Sequence, residues 1–131
     1  MHERCWHSVP LVTLALACAA HDFRISASVT SAACPGKAAR PVAGANVAMD
    51  CPQVIKASAP SLLGKTDGAG QFVLEEPLFG RWLHDGCELV VSKPGFETRH
   101  IPVAMVCEEY SANHCTNLVV SAELMPEGAC R

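Results

Sequence analysis

The chain has 131 residues, a formal net charge of −3 and a pI near 6.0. That is room for one domain of ordinary size. Its Lys and Arg residues are scattered, so nothing in it tracks a nucleic-acid backbone or coats a charged membrane surface, and nucleic acid is excluded as a partner. Eight cysteines in so short a chain point to an oxidising compartment.

The N-terminus agrees with export. His2, Arg4 and His7 lie in a polar start, and residues 9–17 form a short apolar run. The run is far below the ~20 residues that a spanning helix needs. It reads as the core of a signal peptide over 1–17. The run ends Leu14-Ala15-Leu16-Ala17-Cys18, which resembles the bacterial lipobox, whose cysteine becomes the lipidated first residue. Ala15 and Leu16 depart from the preferred residues of that motif. The alternative is ordinary cleavage, giving a soluble exported protein. Parity supports lipidation of Cys18 over cleavage that leaves it as a free thiol: Cys5 leaves with the signal, and Cys34, Cys51, Cys87, Cys107, Cys115 and Cys130 remain as an even set, the same six that cleavage just beyond Cys18 would leave. Residues 18–22 then form an anchor and a tether whose last four residues reach roughly 14 Å. Ala19 lacks the aspartate that retains some bacterial lipoproteins at the inner membrane, so the outer membrane is the expected address.

Residues 23–30, Phe-Arg-Ile-Ser-Ala-Ser-Val-Thr, alternate apolar and polar without a break, the period of a half-buried strand. Residues 34–37 are a turn, and 41–44 continue the connection. Ala45, Val47, Met49 and Cys51 share one face of a second strand. Residues 52–64 have no clean period and read as a loop. Then comes Lys65-Thr66-Asp67-Gly68-Ala69-Gly70-Gln71-Phe72-Val73-Leu74, the stretch around which the chain is organised. Asp67 can fold its carboxylate onto backbone N–H groups ahead of it. Gly68 and Gly70 permit positive φ. Phe72 and Leu74 then point to one face and Gln71, Val73 and Glu75 to the other.

Residues 78–86 are ambiguous between a helical turn and a poor edge strand. Residues 87–93 are β-branched and alternating, a good strand, and Pro94-Gly95 turns it. Residues 96–103 form another extended piece, with Pro102 favouring an edge or an end. Residues 108–113 are polar and lie inside a Cys107 to Cys115 loop. Residues 118–124 form the last strand, stopped by Met125-Pro126. Six or seven short strands with turns between them, and no convincing helix outside the signal, indicate an all-β sandwich.

Three stretches in order carry a resemblance: Pro41-Val42-Ala43-Gly44-Ala45-Asn46-Val47, Thr66-Asp67-Gly68-Ala69-Gly70-Gln71-Phe72 and Leu89-Val90-Val91-Ser92-Lys93-Pro94-Gly95-Phe96. Together they resemble the carboxypeptidase regulatory-like domain, a transthyretin-like (prealbumin-type) fold, over residues 23–124. The resemblance implies a seven-stranded Greek-key β-sandwich, placed here in 23–131. It implies a non-catalytic accessory or surface module and supplies no catalytic residues. Hydroxyisourate-hydrolysing relatives on that fold end in tyrosine-arginine-glycine-serine, whereas this chain ends Met125-Pro126-Glu127-Gly128-Ala129-Cys130-Arg131, so that activity is not transferred.

The cysteines contain no C-x-x-C pair, which removes the common redox and zinc spacings, and disulfides are the expectation. Cys107 and Cys115 flank one polar loop and can close it. The family fold suggests that the strands ending at Cys51 and beginning at Cys87 are antiparallel neighbours, which brings those two together and leaves Cys34 and Cys130. His21, His84, His100 and His114 form no ligand-spaced pair, and neither a metal nor a cofactor is expected. Glu75-Glu76 point to opposite faces and cannot flank one bond. No serine stands in a G-x-S-x-G elbow.

The first reading is therefore a non-catalytic lipoprotein of the cell envelope, anchored to a membrane through Cys18. Trp82 and Tyr110 are its candidate contact surface for a protein or glycan partner. The second reading is a small secreted enzyme using His84 and Asp85 near Trp82. The third is a soluble exported inhibitor or binder of carbohydrate or protein.

Overall fold

The computed structural model describes residues 22–32, 38–51, 60–77, 86–111 and 114–128. They form two four-stranded sheets. The first has the order β4-β1-β8-β7 and the second β3-β2-β5-β6. Here β1 is Asp22–Ser31, β2 Asn46–Asp50, β3 Ser61–Lys65, β4 Gln71–Pro77, β5 Glu88–Ser92, β6 Arg99–Pro102, β7 Cys107–Ser111 and β8 His114–Leu124. A single helical turn, α1 (Val103–Val106), leads from β6 to β7. Only β1 and β8 run parallel; every other pair is antiparallel.

The expected all-β sandwich is present. Alternation is its cause. Phe23, Ile25, Ala27 and Val29 of β1 are buried, and Leu118, Val120, Ala122 and Leu124 of β8 lie beside them. They meet Val47 and Met49 of β2 and Leu89 and Val91 of β5 across the sandwich. Phe72 enters from β4, and its ring lies against Gly64 of β3, where a Cβ would stand 2.6 Å from a ring carbon. The glycine leaves room for the aromatic that joins the two sheets along that side.

Three local expectations are corrected. The described residues hold eight strands, one more than the resemblance implies, and two of them, β3 and β7, stand where loops were expected. Residues 108–113 read as a polar loop, but 108–111 belong to β7. They do not alternate because β7 is an outer strand whose Glu108, Glu109 and Tyr110 are all exposed. Residues 61–64 also read as loop but belong to β3. There the register shifts between Val47 and Ala48, leaving Leu63 as an extra residue, and such a bulge breaks the period of two. The turn α1 was not expected as helix; of its four residues only Val103 is buried.

Among the described residues the outer strand at each edge of the two sheets is blunted. β7 has two register shifts and two glutamates, β6 is short and ends in Pro102, β4 ends Glu-Glu-Pro, and β3 carries its bulge. These are the devices that keep edges from pairing with other chains.

Candidate functional site

The two ends of the sandwich differ. β1 enters at Asp22, opposite Pro77 of β4. The end holding Asp22 also holds the end of β2, the start of β5 and the β7–β8 hairpin. It is called the proximal end here. The distal end holds the turns around Gly44, Asp67 and Lys93.

At the distal end the three motifs meet. Thr66 is 6% exposed. Its hydroxyl donates to the Val42 carbonyl at 2.7 Å and accepts from the Ala45 N–H at 2.9 Å. Its backbone N–H donates to Ala45 O, and its carbonyl accepts from Gly44 N–H. The next residue does the same work for the turn. Asp67 Oδ1 accepts from Ala69 N–H and Gln71 N–H, both at 2.9 Å, as expected from its sequence. Gly70 alone of the two expected glycines has positive φ, at 75°. Lys93, from the third motif, donates its ammonium to Ala43 O. The motif residues are thus consumed by the backbone of 41–45 and of the turn itself.

Replacing Thr66 by Val keeps the volume and removes both side-chain bonds, leaving Val42 O and Ala45 N–H buried short of a partner. Thr66→Val is expected to cost about 2–3 kcal/mol and Thr66→Ser under about 1. Urea unfolding of the three proteins measures the difference.

At the proximal end both described disulfides form as expected. Cys51 and Cys87 join β2 to β5, Cα atoms 4.1 Å apart, one step beyond the Asp50–Glu88 pair. Cys107 and Cys115 join β7 to β8, Cα atoms 5.9 Å apart. Cys18, Cys34, Cys130, Trp82, His84 and Asp85 lie outside the described residues. Tyr110 is on β7, about half exposed at 51%.

One grouping was missed from sequence. On the outer face of the second sheet, Asp50 and Glu88 stand directly opposite each other, and His100 Nδ1 lies 3.1 Å from Glu88 Oε1. Like charges directly opposite on neighbouring strands repel, and the His100 ring stands within hydrogen-bond distance of one of the two carboxylates. Only the cross-strand register brings these residues together, and sequence periodicity carries no register. Among the described residues no group of His, Cys, Asp and Glu has an arrangement that could hold a metal ion.

Among the described residues charge divides unequally between the ends. Asp50, Glu75, Glu76, Glu88, Glu108 and Glu109 are proximal, with Arg24, ion-paired to Glu75, as the described Lys or Arg among them. At the distal end Arg40, Lys65, Lys93 and Arg99 balance Asp67, Glu97, Glu123 and Glu127.

No protein-family model matches the chain, and no curated protein matches it. Among solved structures it is similar to the major plantain pollen allergen Pla l 1, with 17% identity, a TM-score of 0.50, and coverage of 82% of this chain and 95% of that one. It also matches domains D2 and D3 of the major pilin SpaD from Corynebacterium diphtheriae, at 10% identity and a TM-score of 0.43, over 84% of this chain and 49% of that one. The likeness to Pla l 1 is one of fold. The chain is a β-sandwich stapled by disulfides, a statement that its own strand pairing makes independently.

Proposed function

We propose that the chain is a non-catalytic, exported module of the cell envelope, related to carboxypeptidase regulatory-like domains and anchored to a membrane by lipid on Cys18. The observation that carries the reading is where β1 begins. β1 starts at Asp22, so only residues 19–21 separate its first residue from Cys18. An acyl group there would hold the proximal end within roughly 14 Å of the membrane surface.

The family relation is supported by how the three motifs meet at residues 41–45. They act as architecture: each polar group that makes the motif recognisable is bonded to backbone. On this reading the membrane keeps the proximal end, and the distal turns face away from it. Tyr110 lies at the tethered end, so a protein or glycan using it would bind next to the membrane.

The test is the intact mass of protein recovered from a bacterial membrane fraction. The expected result is a chain starting at Cys18 with an acyl-glycerol increment, and release of Cys18→Ala into the soluble fraction. A wild-type chain recovered soluble, without the increment, overturns the anchor and leaves a freely diffusing binder.

A further inference from the structure

We propose that the Cys107–Cys115 disulfide is a redox-sensitive latch: it holds β7 on the edge of β8, and its reduction frees β7 while the two-sheet core stays folded.

The two disulfides are placed differently. Cys51–Cys87 ties β2 to β5, the two inner strands of the second sheet. Those strands pair continuously from Asn46–Ser92 to Asp50–Glu88, and Val47, Met49, Leu89 and Val91 fix them to the core. Their association does not depend on the bridge. β7 has no such support. Among the described residues β8 is the one strand with which it pairs. That pairing shifts register twice within five residues, between Cys107 and Glu109 and again between Glu109 and Tyr110. No β7 side chain is fully buried: Glu108, Glu109 and Tyr110 are exposed, and Cys107 and Ser111 half-buried. Little apolar burial remains to oppose the entropy of a free segment.

In access the two bridges are alike, each joining a half-buried cysteine (Cys51, Cys107) to a buried one (Cys87, Cys115). Cys115 is buried at 0% exposure, whereas Cys107 is half-buried at the rim. A dithiol reductant therefore attacks Cys107 Sγ. A thiolate of the dithiol forms a mixed disulfide with it, and Cys115 leaves as thiolate and takes up a proton. The second thiol of the reductant then displaces Cys107, which is protonated in turn. Two electrons pass to the cysteine pair, and the reductant leaves as its own disulfide. The loop so opened spans 8 positions. Its closure raises the weight of the paired state roughly 50-fold in the chain-entropy model. Once β7 departs, the backbone of β8 that it covered, residues 114–118, becomes an unpaired edge, the kind of edge that accepts an added strand.

The experiment has two arms on the full domain. In the first, wild-type protein is titrated with dithiothreitol without denaturant, and the cysteines are assigned by differential alkylation and peptide mass. Cys107 and Cys115 are expected to be alkylated at lower dithiothreitol than Cys51 and Cys87. In the second, hydrogen exchange compares wild-type with Cys107→Ala/Cys115→Ala. Amides in 108–111 are expected to exchange roughly 50-fold faster, with β1 and β5 unchanged. Opening of Cys51–Cys87 first, unchanged exchange in 108–111, or acceleration spread evenly through β1 and β5 overturns the latch. Should the double variant fail to fold, the first arm still decides.

Discussion

Gly70→Ala is expected to cost about 3–5 kcal/mol, while Gly68→Ala, two residues away in the same turn, changes stability by under about 1. The difference lies in conformation and surroundings. Gly70 has φ of 75°, which a residue with a Cβ adopts at a cost of about 1–2 kcal/mol. A Cβ there would also stand 2.5 Å from Val29 O and 3.1 Å from Val42 N. Neither neighbour can give way alone. Val29 O accepts from Val42 N–H, and Val29 N–H donates to Gly70 O at 2.8 Å. Making room moves β1 or the 41–45 segment and breaks one of these bonds. At Gly68 nothing lies within 4 Å of the added carbon, and φ is outside the left-handed region. There alanine removes freedom from the unfolded chain and strains nothing, so a small gain is the expected sign. Thermal melts of the two variants measure the contrast. Equally small effects would mean that the turn tolerates a Cβ at both places and that its shape is held by Asp67 instead.

That contrast also marks how far the sequence could be read. The two glycines look alike as letters, and only the backbone path past Val29 separates them. The strands facing the core on one side were legible, because burial imposes a period of two: β1, β2, β4, β5 and the last half of β8 stand close to where alternation puts them. Asp67's bonds to Ala69 and Gln71 follow from local chemistry within a few residues, and they too could be read. β3 and β7 could not. One is bulged at Leu63 and the other exposed along Glu108, Glu109 and Tyr110, so neither carries an undisturbed two-residue period. The Asp50–Glu88–His100 grouping was illegible for another reason: it exists only through register across three strands. Cys51–Cys87 lay between these cases, since the family resemblance supplied the strand adjacency that spacing alone could not.

Removing the Cys51–Cys87 bridge as Cys51→Ala/Cys87→Ala is expected to lower the stability of the whole domain by about 4 kcal/mol, with a single cooperative transition retained. The bridge closes a separation of 36 residues, and the chain-entropy model gives a constraint on the unfolded state of that size. Cys87 is itself buried, at 1% exposure, and alanine there leaves a small apolar gap and no unsatisfied polar group, so little is added to the entropic term. The folded state keeps its β2–β5 pairing, because Val47, Met49, Leu89 and Val91 remain buried against the first sheet. The transition should therefore move without broadening, read by urea unfolding with near-ultraviolet and far-ultraviolet signals together. Cys107→Ala/Cys115→Ala should behave in the opposite way: its 8-residue closure sits on a strand with no fully buried side chain, so the lost constraint is confined to β7 and the global midpoint moves much less. If both pairs shift the midpoint alike, β7 belongs to the same cooperative unit as the core, and the sandwich unfolds as one body whichever bridge is cut.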